Sequence, residues 1–495
     1  WVFASAKGDD PLSQGPYWKD QNRARVAAAL GTQRAVSFSK RGLDPLIPPG
    51  LGRLGHMAAA KVLPNPLGIQ AEADLDIQFV AAAFTVFGPF LQAYRDAQTD
   101  VLMRISVATR GLDEALYRYQ TPEVSQVANS SRPAMTAVVT SVLRWPDRVQ
   151  ASGYVSGFPV VDAVQYSGVF REVPRKTDLL SSDDLLGDYS RGVISDILAS
   201  TPQFQYIQEL YDSAVKEAND GFASPLMSKE QMDVRFGEGQ WLPLMRFMVD
   251  QGDKLRPIDD AKRFQLNKAT HTDETIFTTT IDSIPVDILC IMTAVFSVWG
   301  ESALDWLEFV IGLDDLLDAY RYVPVLPTHL RFSISSVYNP AQRVWNFFIM
   351  YGHPFGLEAA VLNFNRRPTL VTAVSRRITA CATSAFFDDF RVLDLLCYYG
   401  GGQRSLQVVM QILGVKPSPA KHVPAGFRRQ YLGQSVDLSA STTEGTVTFA
   451  PKDGLPEKLD NLLDNIECTG VLPKSVASRC HGLFGWSATT THGTC

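Results

Sequence analysis

The chain has 495 residues, 45% of them hydrophobic and 20% charged, which is an ordinary globular balance and enough for roughly two to four domains. The net charge of −6 argues against a simple basic nucleic-acid coat, so any nucleic-acid site would need its basic residues concentrated locally. Six cysteines lie far apart without CxxC spacing, which predicts neither a zinc knuckle nor a disulfide framework.

The first 224 residues carry no pattern that indicates a function. Residues 1–70 are rich in Gly, Pro and basic residues and predict a poorly ordered lead-in. Residues 71–224 are mostly helical in pattern, as in Ile77–Tyr94 and Ser195–Asn219. No basic-then-apolar leader follows Trp1, so we expect a non-secreted, intracellular protein whose compartment the sequence does not specify. The longest apolar stretch, Ile288–Trp299, is too short to span a bilayer and predicts a buried helix rather than a membrane anchor.

Short β-branched and aromatic runs alternate with helical patterns in residues 225–440. Mixed elements in this order predict an α+β domain with an antiparallel sheet. In residues 441–495 a helical pattern resumes at Leu455 and stops abruptly, so we expect a piece of a longer protein. The predicted strands are Thr275–Thr280, Phe332–Val337 and Ala385–Phe387, and the predicted helices are Pro285–Phe296, Leu357–Ala382 and Val392–Leu413.

Two adjacent carboxylates, Asp388 and Asp389, lie in an aromatic, strand-like stretch. Burying them beside aromatic rings would cost several kcal/mol unless something neutralised their charge. A tight hairpin that presents both to divalent cations would solve this problem, because Mg²⁺ prefers a few carboxylates plus substrate phosphates. Asp315, in a second acid cluster, would supply the remaining ligand from a neighbouring strand. An Asp-Asp pair alone is usually a turn or a solvated face, so the prediction depends on its partners.

In their order and spacing these segments resemble the palm motifs of reverse transcriptases, especially those of retrotransposons. The stretch Asp315–Tyr320 resembles the first palm motif, which makes Asp315 catalytic and places Tyr320 as an aromatic gate against the ribose 2′-hydroxyl. Phe386–Asp389 resembles the Tyr-x-Asp-Asp box, with Phe in place of Tyr. The resemblance implies two Mg²⁺ ions, with Mn²⁺ as a substitute, held by Asp315, Asp388 and Asp389. Such a pair of ions can activate an attacking 3′-hydroxyl and stabilise the leaving pyrophosphate.

The second motif of that family, Pro-Phe-Gly-Leu, is matched by Pro354, Phe355, Gly356 and the residue that follows. In the family its turn and helix lie under the nascent base pair and the template. The segment that ends at Arg366 continues this motif where retroelements commonly have Phe-Gln-Arg. Arg366–Arg367 and Arg376–Arg377 recur ten residues apart on a predicted helix, a pattern that fits either a nucleic-acid groove or a solvated helix face.

Flanking segments extend the resemblance from Lys254 to Gly433. Lys254–Asn267 is similar to the fingers signature, in which the first arginine, here Arg256, clamps the triphosphate with its bidentate guanidinium, and Lys254 is a second clamp. Leu413–Val415 followed by Lys421 resembles the motif after the catalytic hairpin, and the primer-grip hairpin is matched by Tyr431, Leu432 and Gly433.

The resemblance therefore implies an RNA-directed DNA polymerase with a right-hand form. Fingers and palm would occupy residues 225–440, a truncated thumb would begin at 441, and residues 71–224 would form a helical extension. Its partners would be an RNA template, a DNA primer and dNTPs. Residues implied at the dNTP are Arg256, Lys254, Tyr320, Phe355 and Lys421, and those implied at template or primer are Pro354, Gly356, Arg366, Tyr431, Leu432 and Gly433.

Two other functions remain open from the sequence. RNA-dependent RNA polymerases share the palm, but they usually carry Gly before the Asp pair and a polar contact to the 2′-hydroxyl, whereas this chain has Phe387 and Tyr320. A decayed or domesticated retroelement that binds nucleic acid without polymerising is the third possibility. The presence of all three acids argues against decay.

Overall fold

The computed structural model describes residues 73–174, 176–202, 204–250 and 254–470, together with a few positions between 472 and 483. The predicted lead-in at residues 1–70 lies outside these residues. The described chain combines helices with several small sheets, as the sequence predicts.

The first part of the described chain is helical. Asp74 caps the first helix by accepting the Ile77 N–H at 2.9 Å, and Gly88 ends it with φ +49°. The helices are α1 (Leu75–Phe87), α2 (Leu91–Ala108), α3 (Arg110–Tyr117), α4 (Pro122–Ala128), α5 (Pro133–Val142), α6 (Gln150–Ser156), α7 (Asp188–Ala199), α8 (Ile207–Asn219) and α9 (Lys229–Phe236). The predicted helical segments are therefore confirmed as helical, but each is interrupted, the first at residues 88–90 and the second at residues 200–206.

Two four-stranded sheets dominate the second part. Sheet A has the order β4-β3-β8-β9, with a parallel β3–β8 pair and antiparallel neighbours. Sheet B has the order β10-β11-β7-β12 and is antiparallel throughout, as predicted. A third, antiparallel sheet C has the order β13-β14-β15. The strands are β3 (Pro243–Asp250), β4 (Leu255–Asp259), β7 (Phe309–Asp315), β8 (Ile334–Asn339), β9 (Val344–Ile349), β10 (Ala382–Phe386), β11 (Asp389–Leu395), β12 (Val423–Gly426), β13 (Arg428–Tyr431), β14 (Gln434–Asp437) and β15 (Thr448–Pro451).

The described chain also contains four two-residue strands and four further α-helices, beside several short 3-10 helices. β1 pairs with β5, and β2 pairs with β6. These elements are β1 (Asp162–Ala163), β2 (Arg171–Glu172), β5 (Thr270–His271), β6 (Glu274–Thr275), α10 (Ser283–Trp299), α11 (Glu358–Arg377), α12 (Gly401–Ile412) and α13 (Leu455–Thr469).

Three element predictions were wrong in part. The predicted strand Thr275–Thr280 is paired only at its first residue. The first part of the predicted helix Val392–Leu413 belongs to β11, because a continuous buried apolar run has the same periodicity in a strand as in a core helix. The helix predicted to reach Ala382 ends at Arg377, and Ala380 then takes φ +50°, which a right-handed helix cannot accommodate.

Sheet B lies between two hydrophobic layers. Alternate residues of β7 and β11, such as Ile311 and Leu393, pack in one core with α1 and α10, whereas Val392 packs in another core with α11 and α12. The apolar helix α10 is longer than the predicted stretch Ile288–Trp299. Two continuous helical segments are long and apolar enough to cross a membrane: Leu75–Ala108, which runs from α1 through α2, and Ser283–Asp305, which is α10 with the 3-10 turn that follows it. Buried core helices pass the same test.

Candidate active site

The hairpin β10–β11 presents the Asp388–Asp389 pair at one end of sheet B. Phe386 pairs with Asp389, so Phe387 and Asp388 form a two-residue turn. Phe387 adopts φ +55°, a left-handed conformation that is unusual for an aromatic residue. Its ring lies 5.1 Å from that of Phe386 in an edge-on contact. The tight hairpin expected from the sequence is therefore present.

Asp315 meets this hairpin because β7 is the neighbour of β11. Asp315 and Asp389 are direct cross-strand partners, and the Leu316 N–H donates to the Asp388 carbonyl at 3.2 Å. Directly opposed residues of an antiparallel pair have Cβ atoms about 4.5–5.5 Å apart and point to the same face. The structure therefore brings Asp315 together with two acids that lie more than seventy residues further along the chain.

The neighbouring Asp314 points to the opposite face and has other partners. Its buried carboxylate contacts His422 Nδ1 at 2.8 Å, Gln403 Nε2 at 3.0 Å and Gln407 Nε2 at 3.1 Å. Strand alternation thus distinguishes two consecutive aspartates, because only Asp315 faces the hairpin acids.

Negative charge at this site is incompletely neutralised. Lys421 Nζ lies 2.6 Å from one oxygen of Asp315, but the other oxygen is buried and has no hydrogen-bond partner. Partial burial, a hydrogen bond to Asp315 and the charge of Asp388 raise the pKa of Asp389 to about 7, against the opposing effect of Lys421. Partial burial and the charge of Asp315 likewise raise the pKa of Asp388, while Lys421 and Arg256 act in the opposite direction.

The donor set at this site suits a hard divalent cation. Within the described ranges no three Asp, Glu, His or Cys side chains already have the spacing of a metal site. One oxygen of Asp315 is buried without a hydrogen-bond partner, and carboxylate oxygens are the ligands that Mg²⁺ and Mn²⁺ prefer. Asp315, Asp388 and Asp389 are thus the residues that could hold such ions.

Tyr320 lies beside the acids in a group of aromatic rings. Its ring centroid is 5.0 Å from that of Phe355 and 4.6 Å from that of Phe364. Burial and the negative charge of Asp388 raise the pKa of Tyr320, so its hydroxyl stays protonated at neutral pH. The aromatic side chain predicted as a gate is therefore packed against two other rings and close to the acid pair.

The Pro-Phe-Gly turn is fastened to the segment that resembles the fingers signature. Gly356 has φ +107°, and a Cβ there would lie 2.2 Å from the Asp259 carbonyl oxygen, so the position excludes side chains. The Phe355 carbonyl accepts the Asp259 N–H at 3.0 Å. Asn267 donates to the Gly356 carbonyl at 3.1 Å and accepts the Glu358 N–H at 3.0 Å, which caps α11. Pro354 precedes this turn and is buried.

The two predicted phosphate clamps lie at the start of β4. The side chains of Lys254 and Arg256 are both exposed. The charge of Arg256 partly opposes the rise in the pKa of Asp388 that burial and Asp315 cause, so its guanidinium lies within electrostatic reach of the acids. Lys421 is also half exposed, although its ammonium contacts Asp315.

Arg366 is located differently from what its predicted role requires. Its side chain is only 1% exposed, Nη1 lies 2.9 Å from Asp147 Oδ1, and Nη2 donates to the Gln165 carbonyl. The guanidinium is therefore occupied by protein groups and is not presented to a template. Arg367 and Arg376 are buried as well, whereas Arg377 is exposed and lies 2.8 Å from Asp76, so the two arginine pairs do not form an open basic groove.

The predicted primer-grip hairpin connects β13 to β14. Tyr431 pairs with Gln434, and Leu432 and Gly433 form the turn at φ +46° and +74°. The Tyr431 ring is buried in the core beneath sheet B, which leaves only the two turn residues partly exposed. The hairpin is present, but the tyrosine contributes to packing rather than to an open surface.

A buried charge network near Tyr320 was missed by the sequence reasoning. Arg246 contacts Asp259 at 2.9 Å and Glu217 at 2.5 Å, and Glu217 also accepts from Arg321 Nη2 at 2.5 Å. Arg321 donates to the His353 carbonyl at 2.7 Å. Burial opposes ionisation of Glu217, but the two guanidinium groups hold its pKa below the usual value. Burial lowers the pKa of His353 to about 4, so this histidine is neutral.

Comparisons with known proteins gave structural likeness alone. No family model and no curated protein matches the chain. Three structures of a foamy viral protease-reverse transcriptase align with 74% of this chain. The dRH form in complex with double-stranded DNA has 11% identity, a TM-score of 0.40 and 52% of its own length covered. A second complex with double-stranded DNA has 11% identity, a TM-score of 0.38 and 63% of its own length covered. A complex with an RNA/DNA hybrid has 12% identity, a TM-score of 0.39 and 40% of its own length covered. The chain thus spans less than two thirds of these proteins, and neither its fold nor its function is inferred from a likeness of this size.

Proposed function

We propose that the chain is an RNA-directed DNA polymerase of retrotransposon type, with right-hand fingers and palm, that adds dNTPs to a primer 3′-hydroxyl. The observation that carries the proposal is the cross-strand pairing of Asp315 with Asp389 beside the turn at Asp388. Three carboxylates, one with an unpartnered buried oxygen and two with raised pKa values, are costly to assemble unless cations bind them. The reaction that such a cation-binding site supports best is phosphoryl transfer.

The proposed chemistry is in-line nucleotidyl transfer supported by positioning and charge neutralisation. Asp315, Asp388 and Asp389 would hold two Mg²⁺ ions, which when bound polarise the 3′-hydroxyl and neutralise the leaving pyrophosphate. Arg256 is a planar donor suited to a triphosphate, and Lys254 lies two residues away on the same exposed segment.

Two further side chains complete the proposed nucleotide site. Tyr320 excludes a ribose 2′-hydroxyl because its ring is held by Phe355 and Phe364 and cannot move aside. Lys421 pairs with Asp315 in the absence of a cation. When a cation binds Asp315 instead, the Lys421 ammonium can turn towards the phosphates of the nucleotide. The turn at Gly356 and the hairpin at Leu432 and Gly433 are the proposed template and primer contacts.

The test is primer extension by the full chain on an oligonucleotide-primed RNA template with Mg²⁺, supplied with dNTPs or NTPs. We expect extension with dNTPs that is abolished by EDTA and by Asp315→Asn. The matched control is Asp100→Asn, which removes an exposed carboxylate of a surface ion pair on α2 and should leave extension unchanged. Extension with NTPs alone would indicate an RNA polymerase. No extension by a folded chain that still binds the template–primer would favour a binding-only remnant and overturn the proposal.

A further inference from the structure

Glu217, at the end of α8, holds two buried guanidinium groups in place. Its carboxylate oxygens lie 2.5 Å from Arg246 Nη1 and 2.5 Å from Arg321 Nη2. The exposed fractions of the three side chains are 12%, 0% and 6%. Because a buried cation without its partner is costly, Glu217 fixes the position of Arg321, whereas Arg246 is also held by Asp259 at 2.9 and 3.0 Å.

Arg321 in turn contacts the aromatic ring on which Tyr320 packs. One of its nitrogens donates to the His353 carbonyl at 2.7 Å, and its Cζ atom lies 4.8 Å from the centre of the Phe355 ring. The Phe355 ring lies 5.0 Å from the ring of Tyr320. A continuous series of contacts therefore runs from Glu217 through Arg321 and Phe355 to Tyr320.

We propose that Glu217 is a positioning residue for sugar selectivity, acting through Arg321 on the ring that excludes the ribose 2′-hydroxyl. The inference rests on the proposed function, in which Tyr320 is that ring. Ribose and deoxyribose differ by one oxygen, so a steric gate works only if its ring cannot move aside by the width of that atom. Arg321 holds Phe355 from one side with a planar cation that Glu217 keeps paired, and this arrangement assigns a role to a helix of the otherwise unexplained region 71–224.

The decisive measurement is the ratio of kcat/KM for a dNTP to kcat/KM for the matching NTP in single-nucleotide insertion. Glu217→Gln keeps the size of the side chain but removes the charge that holds Arg321. We expect the ratio to fall on the order of tenfold, mainly through better use of the NTP, because the gate ring can then yield. Loss of fold alone would lower insertion of both nucleotides and leave the ratio unchanged.

A matched control separates selectivity from general destabilisation. Asp113→Asn removes the charge of another buried carboxylate, which lies 2.6 Å from Arg132 Nε among the N-terminal helices. The exposed fractions of that pair are 15% for Arg132 and 2% for Asp113, close to those of the Glu217 pairs. We expect a comparable loss of thermal stability with the wild-type nucleotide ratio. An equal fall of the ratio in this variant would overturn the inference.

Arg321→Lys is a second, milder variant that decides the case if Glu217→Gln does not fold. It keeps a cation beside Glu217 but removes the planar surface over Phe355 and the fork that reaches the His353 carbonyl. A fall of the ratio supports the inference. An unchanged ratio in an active protein overturns the inference but leaves the proposed function standing. A folded wild-type chain that inserts neither nucleotide would instead refute the proposed function, and the inference with it.

Discussion

Replacing Asp389 with Asn should stabilise the cation-free protein at pH 8 although it removes a residue of the proposed active site. The folded protein holds the Asp389 proton up to about pH 7, whereas the reference carboxyl loses it near pH 3.8. The folded state therefore binds more protons between these values, and this group costs the wild type stability as pH rises from about 4 to about 7. Asparagine resembles the protonated carboxyl and can donate to Asp315, so the variant avoids that cost.

The expected gain in stability follows from the raised pKa of Asp389, reduced because solvent reaches the side chain. A change from 3.8 to about 7 is about three units, or a ceiling of about 4 kcal/mol at roughly 1.4 kcal/mol per unit. The Asp389 side chain is exposed, so solvent screens much of this interaction, and we expect about 1–2 kcal/mol at pH 8. Below about pH 4 the Asp389 carboxyl is protonated in both the folded and the unfolded wild type, so the stability difference between wild type and Asp389→Asn should vanish.

The assay is urea or thermal unfolding of both proteins in EDTA at pH 4.5 and pH 8, repeated at pH 8 with Mg²⁺. Added Mg²⁺ should raise the stability of the wild type and raise that of the variant much less. Asp437→Asn is the control of opposite sign, because hydrogen bonds from Ser439 lower the pKa of Asp437 and its charged form favours the folded state. An Asp389→Asn protein that is no more stable than wild type at pH 8, or equally more stable at both pH values, would refute the reasoning.

Three further predictions concern other parts of the site. Tyr320→Ala should admit ribonucleotides by a factor on the order of 10²; insertion kinetics with unchanged sugar selectivity would count against the gate. Gly356→Ala should lower the free energy of unfolding by about 2–4 kcal/mol, because it adds a backbone clash to the cost of a positive φ. Gly221→Ala, at φ +81° with no atom within 4 Å, should lose only about 1 kcal/mol, and equal losses in chemical denaturation would contradict this reason. Lys421→Met should slow extension yet lower the Mg²⁺ concentration that gives the half-maximal rate, because no ammonium competes for Asp315. A Mg²⁺ titration in which the variant needs more Mg²⁺ than the wild type would contradict this prediction.

The sequence was sufficient to predict the hairpin at Asp388 and the strand that carries Asp315, because local signals determine both. Aromatic and β-branched residues flank each acid, and alternation along a strand then decides which carboxylate faces the hairpin. The choice between Asp314 and Asp315 rested on the resemblance at the sequence level. In the structure it follows from the cross-strand pairing with Asp389.

The parts that could not be predicted depend on contacts between distant residues. Arg366 looked like a groove residue, but its charge is neutralised by Asp147, 219 positions earlier in the chain. Glu217 gives no local signal, since an acid at the end of a helix is commonplace and its partner Arg321 lies 104 residues away. The apolar run at Val392 fits a helix and a buried strand equally well, and only pairing with β7 settles which one forms.

The paired contacts at the end of β7 make the spacing of the following loop critical. Asp314 and Asp315 point to opposite sides of one strand, and the consecutive His422 and Lys421 reach round its two sides to meet them. Removing one residue from the loop just before Lys421 would shift the chain by one position, bringing the His422 imidazole to Asp315 and the apolar Val423 to Asp314, whose buried carboxylate would lose its imidazole partner. We expect the segment between α12 and β12 to tolerate changes of residue type far better than changes of length.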